Sequence, residues 1–141
     1  MTKDLTLCTA NGILNIRVAL WFEQHDALLV TKDATGLLAL PGGRIQFGES
    51  SQQAIRREIK EETGQNIEHL TFMTTVENFF IYNEQHYHEL LFIYSGILPH
   101  PIQSAIDEQF LWLPLTDIHL VKPNVLATIY AHKQAHFIHI D

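Results

Sequence analysis

Residues 40–65 read LPGGRIQFGESSQQAIRREIKEETGQ, a glycine-bearing loop that runs into a dense run of charge. Ser50 is a good N-cap, and Gln53 three residues on completes a capping box. Gly64 stands where a helix wants a left-handed C′ residue. The spacing therefore predicts a helix over Ser51 to Thr63. Ala54, Ile55 and Ile59 give it one apolar face. Glu58, Glu61 and Glu62, at spacings of three and four, share another. Arg57 lies four residues before Glu61, in reach of an i, i+4 pair.

So many carboxylates together need a reason. A solvated face with an Arg–Glu pair is the plain one. Against it, Glu58 and Glu62 are like charges at i, i+4, which repel by a few tenths of a kcal/mol with no structural return. The acidic face also follows a glycine loop at fixed distance. Clustered carboxylates along one helix face make a hard-oxygen site, which suits Mg²⁺ or Mn²⁺ with waters left over for substrate phosphates.

Gly43, five residues, Glu49, seven residues, then Arg57-Glu58-Ile59-Lys60-Glu61-Glu62-Thr63-Gly64 resembles the Nudix box of the Nudix hydrolases, and Leu40-Pro41-Gly42 resembles its lead-in. The last box position is normally aliphatic and here is Gln65, a packing position. The resemblance implies an α/β/α sandwich over most of the chain. It implies Mg²⁺, with Mn²⁺ as a substitute, held by Glu58, Glu61, Glu62 and the backbone carbonyl of Gly42. Arg57 is implied to orient the glutamates by a salt bridge, and Glu49 to brace the loop or the helix. Gly43 and Gly48 would let the loop turn near the diphosphate, with Gly43 and Arg44 on the substrate side. The general base can lie outside the box. Glu108, four residues before Trp112, is the first candidate, and Glu89, beside His88, the second.

The implied reaction is hydrolysis of a diphosphate linkage in a nucleoside diphosphate joined to another moiety. A compact nucleoside triphosphate pyrophosphatase of the 8-oxo-dGTP-cleaning type ranks first. A dinucleoside polyphosphate hydrolase is the alternative, on Tyr82, a tyrosine at that type's usual distance from the box. No proline stands between Gln65 and Pro99, which disfavours the ADP-ribose type. Base recognition would use Asn124 or the aromatic residues Phe79, Phe80, Tyr82 and Tyr87. A nucleotide-sensing module without catalysis is a separate reading, but such modules lose box glutamates and none is lost here. The purely structural reading predicts no divalent-ion binding at all.

The rest of the chain fits one domain, 1–141. Its 141 residues are 46% apolar and 18% charged, an ordinary globular composition. The net charge of −7, with no dense basic patch, argues against nucleic acid as a partner. One cysteine, Cys8, excludes an intrachain disulfide, and no apolar run has the length of a membrane span. A cytoplasmic protein, acting on a small nucleotide and forming a homodimer by resemblance, is expected. Nine histidines invite a zinc reading, but no H-E-x-x-H or cysteine cluster supports one; His136 and His139 read as surface groups. Strands are expected at Ile13–Phe22, Ala27–Lys32, Leu37–Leu40, Ile67–Tyr82, His86–Leu98 and Glu108–Leu113. Pro123 is expected to open a last helix, Asn124 to His136.

Overall fold

Helix α1 (Ser51–Thr63) forms where its caps put it. The Ser50 side chain accepts from the Gln53 backbone N–H at 3.1 Å, and Gln53 Oε1 accepts from the Ser50 N–H at 2.8 Å. Gly64, at φ 74°, ends the helix by donating its N–H to the Lys60 carbonyl. Ala54, Ile55 and Ile59 are fully buried, so the predicted apolar face is the packed one.

The structure is a computed structural model and describes residues 3–102, 109–132 and 136–140. The strands are β1 (Thr6–Thr9), β2 (Gly12–Trp21), β3 (Glu23–Gln24), β4 (Ala27–Lys32), β5 (Leu38–Ala39) and β6 (Gly42–Arg44). After α1 come β7 (Glu68–Tyr82), β8 (Gln85–Ile97), β9 (Phe110–Pro114), a 3₁₀ turn (Leu115–Leu120), β10 (Val121–Lys122), α2 (Leu126–His132) and β11 (His136–Ile140). Among the described residues they form two sheets. One has the order β1-β2-β8-β7-β11, with β6 also paired to β2. The other has the order β10-β5-β4-β3, with β9 paired to β4. β2 and β8 are parallel, whereas β7 and β8 form an antiparallel hairpin. Its two-residue turn, Asn83-Glu84, has both φ values positive, which matches the twist of the flanking strands.

Alternation along β2 decides the layers. Val18 and Leu20 face α1 and join Ile55, Ile59, Tyr94 and Phe110 in one core. Ala19 and Trp21 face the other way and join Leu28, Val30, Leu113, Leu126 and Ile129. One face of the large sheet therefore carries α1 and the other α2, and the smaller sheet adds Leu29 and Phe110 to the first core and Leu28, Val30 and Leu113 to the second. This is the α/β/α sandwich. No helix among the described residues is long and apolar enough to cross a membrane.

Three features depart from the sequence reading. The last helix ends at His132 instead of His136, and His136–Ile140 is a strand parallel to β7. Ile138 and Ile140 supply the β-branched alternation, and α2 provides the crossover that a parallel partner needs. β1 had no hydrophobic pattern to announce it because it is a largely exposed edge strand. The first residue of the expected strand Glu108–Leu113 lies outside the described residues.

The capping box offers a local test. Ser50→Ala removes the side-chain acceptor of Gln53 N–H and is expected to lower unfolding free energy by about 1 kcal/mol, read from the urea midpoint.

Candidate functional site

The loop between β5 and α1 is stitched to β2 before it reaches the helix. Leu20 N–H donates to the Pro41 carbonyl at 2.8 Å and Ile45 N–H to the Ile16 carbonyl at 2.9 Å. Between them Gly42 pairs with Ala19, Gly43 with Val18 and Arg44 with Arg17. A Cβ on Gly42 would collide with the Val18 carbonyl oxygen. A Cβ on Gly43 would collide with the Glu58 carboxylate, whose Oε2 would lie 2.6 Å away. The absent side chains thus let the loop lie against β2 on one side and against the helix carboxylate on the other.

Arg57 is the hub of the charged groups. Its Nη2 lies 2.6 Å from Glu49 Oε1 and its Nε 3.0 Å from Glu49 Oε2, a two-point grip on one carboxylate. The same Nη2 donates to the Arg44 carbonyl at 3.0 Å. Glu49 Oε1 also accepts from the Gln46 N–H at 2.9 Å. Glu49 and Arg57 therefore tie the loop to the helix from both ends. The third nitrogen, Nη1, donates to Glu58 Oε1 at 3.1 Å and approaches Glu61 Oε2 at 3.4 Å.

Each charge feels the others. The hydrogen bonds from Arg57 hold the Glu49 carboxyl below its ordinary range. Arg57 is held more firmly protonated than usual, first by Glu49, against the effect of burial. Glu58 moves the opposite way. Burial raises its carboxyl, and the Glu61 charge adds to that, while Arg57 and Arg17 oppose it.

Among the described residues no three His, Cys, Asp or Glu side chains are arranged to hold a metal ion. Glu58 and Glu61 do converge on one cationic nitrogen of Arg57. Carboxylates that share a cation, beside a glycine cradle that a methyl group would fill, form a donor set suited to a hard divalent ion. Glu62 is half-buried on the same helix.

The remaining candidates fall in different places. Asn124 is exposed, accepts from Lys122 Nζ at 2.9 Å and precedes α2. Because β10 and β5 are parallel, with Lys122 opposite Ala39, Asn124 leaves the sheet at the same end as Pro41 and Gly42. Tyr82 stands at the hairpin tip, opposite Gln85 and 58% exposed. Gly43 is level with Val18 and thus with Phe92, so Tyr82 lies about 20 Å along the sheet from the loop. Phe80 and Tyr87 stack on each other, with ring centroids 4.9 Å apart, and Phe79 packs on His88. Glu89 is bound by Asn15 and Asn78. Glu108 lies outside the described residues. Gln65 makes reciprocal hydrogen bonds with the His100 backbone N–H and carbonyl, both 2.9 Å. The polar box-end residue thus anchors the chain that leaves β8.

Sequence reasoning passed over Arg17, Asn15 and Asn78. The signal available was polar side chains at inward positions of strands whose neighbours on the same face are apolar.

The Glu49–Arg57 grip gives a pH prediction. The folded-state proton affinity of Glu49 is depressed, so its contribution is full above the ordinary carboxylate pKa and is lost as pH falls through the folded value. Glu49→Gln is expected to lower the urea midpoint at neutral pH. The gap to wild type should close as pH drops below about 4.

The family model described as "NUDIX domain" matches residues 14–134. The chain is 31% identical over 69 residues to the 8-oxo-dGTP diphosphatase of Escherichia coli (strain K12), covering 45% of this chain and 54% of that protein. It is 30% identical over 74 residues to the RNA pyrophosphohydrolase of Ruthia magnifica subsp. Calyptogena magnifica, covering 52% and 41%. The matches thus span only about half the length of these curated relatives. A crystal structure of a MutT protein from Bacillus halodurans superposes with a TM-score of 0.68 at 17% identity, over 87% of this chain and 85% of that one, a likeness of fold. With the family model spanning β2 through α2 and the box geometry in place, the chain belongs to the Nudix family.

Proposed function

We propose that the protein is a divalent-metal-dependent pyrophosphohydrolase that cleaves the diphosphate linkage of a small nucleotide, with nucleoside triphosphates as the leading substrate class. The observation that carries this is the convergence of Glu58 and Glu61 on Arg57, next to a glycine loop that has no side chain between them. The relatives named as pyrophosphate-cleaving enzymes support it.

In this reading Glu58, Glu61 and Glu62, with the Gly42 carbonyl, would hold Mg²⁺ or Mn²⁺. Such an ion, when bound, neutralises diphosphate oxygens and acidifies a water. The chain's own groups do the rest. Gly43, with no side chain, lets the Glu58 carboxylate lie against the loop. Arg44 and Asn124 leave the fold at the same end as the loop and supply contacts to substrate. Arg57 sets the directions of the glutamate side chains, and Glu49 fixes Arg57. Glu108 is proposed to take the proton of the attacking water, on its place four residues before Trp112. Glu89, the second candidate, sits on the sheet face away from α1 and is engaged by two amides. The reading includes a cytoplasmic protein and a homodimer. The edge strands β1 and β11, with Leu7, Ile138 and Ile140 exposed, offer surfaces for the latter.

Four outcomes test this. A nucleotide panel with Mg²⁺ is expected to show turnover, abolished by a chelator. Glu61→Gln is expected to lower kcat by about a hundredfold or more with the fold intact; turnover equal to wild type would remove the glutamate helix from the chemistry. Arg57→Lys, which cannot grip Glu49 at two points, should lower activity by about 10–100-fold, with a weaker apparent metal affinity in the same titration. Gly43→Ala should act in the same direction, because its methyl group displaces the Glu58 carboxylate.

A further inference from the structure

The β3–β4 hairpin and the chain that leaves β8 line one cavity of about 410 Å³. That is within the size range of sites that take small organic molecules. Trp112 on β9 and Phe22, just past β2, supply its aromatic wall, and their rings meet edge to face with centroids 5.1 Å apart. Leu98, Pro99 and Pro101 supply another wall. Among the described residues, none from the glycine loop or from α1 lines this space. Phe22 follows Val18 by four residues, so it stands about 13 Å along the chain from the level of Gly43.

The walls are held from outside the cavity. The Gln65 side chain bonds both the N–H and the carbonyl of His100, which sits between the two prolines. Each proline restricts its own φ. Across the hairpin, the turn His25-Asp26 has both φ values positive, and the Asp26 carbonyl accepts from the Leu115 N–H at 2.9 Å. A space bounded by fixed backbone needs little ordering when something enters it. Trp112 is 38% exposed, whereas Trp21 is 5% exposed. An indole left that open to water forgoes stabilisation that a covering ring would restore.

The polar groups on the lining are the Gln24 amide and the imidazoles of His25 and His100. Each, in its neutral form, carries both a donor and an acceptor. No Asp, Glu, Lys or Arg is among the described residues that line the cavity. A cationic ligand would be desolvated there without a carboxylate to receive it, and a phosphate without a guanidinium or ammonium. Aromatic and proline walls with neutral donors and acceptors fit a flat, uncharged ring that has nitrogen and oxygen on its edge.

We propose that this cavity is a second binding site, separate from the glutamate helix, for an uncharged heteroaromatic compound stacked on Trp112. The site stands whether or not the glutamate helix hydrolyses nucleotides.

The test is titration of the full chain with adenosine and with AMP, without divalent ions, followed by tryptophan fluorescence. Adenosine is expected to quench saturably, with a Kd of about 1 mM or tighter. AMP is expected to bind no tighter than adenosine. Gln65→Leu, which releases His100, should weaken adenosine by about fivefold or more. Gln24→Ala, on an exposed strand, should weaken it by about threefold or more and serves if the first variant does not fold. Absence of saturable quenching overturns the site. Quenching that persists unchanged in Trp112→Phe overturns it too, because the signal would then come from Trp21. AMP binding about tenfold tighter than adenosine overturns the assignment to uncharged ligands. Adenosine that competes with nucleotide turnover at its own quenching constant overturns the separation from the glutamate helix.

Discussion

The two-point bond between Arg57 and Glu49 is the constraint on which the candidate site depends. It joins the loop that leaves β6 to the helix that carries the carboxylates, and both partners are well shielded, with side chains 23% and 17% exposed. Charge-assisted pairs of this geometry hold direction as well as distance. With Arg57 fixed by Glu49 and by the Arg44 carbonyl, its remaining nitrogen is free to draw Glu58 and Glu61 together. Three carboxylates are thus placed by a single guanidinium.

The sheet sets the other coordinates. β2 is the strand against which everything is measured. Its parallel pairing with β8 brings polar residues from distant parts of the sequence to one level, and its pairing with β6 places the glycine loop at the sheet's edge. The alternation that sends Val18 toward α1 sends Arg17 to the opposite face of the sheet. β6 has only three residues, which leaves that edge open between the two faces.

What the sequence displayed was local. The capping box, the left-handed Gly64 and the period of Ala54, Ile55 and Ile59 are short-range signals, and α1 begins and ends where they indicate. The long hairpin of β7 and β8 was legible for the same reason, from apolar runs split by a polar turn. The β11 strand was not. Its pairing with β7 is parallel and far apart in sequence, and its first residue, His136, was read as the end of the preceding helix. Asn15, Asn78 and Glu89 were invisible as a group because only the register of three strands brings them to one level. The role of Gln65 was hidden too. A glutamine where an aliphatic residue is usual reads as a lapse until His100, thirty-five positions later, is found across from it.

That pair of hydrogen bonds makes positions 65 and 100 a coupled unit. Each bond is solvent-accessible, so water can replace either one and the loss of stability is small, about 1 kcal/mol or less per bond. The larger effect is on where the chain goes after β8. A connection pinned at His100 has fewer directions available than one that starts free at Leu98, and the entropy of closing it is reduced in advance. An aliphatic residue at 65 would pack well and release the connection. Substitutions at this box end would therefore be felt at His100, thirty-five positions along the chain.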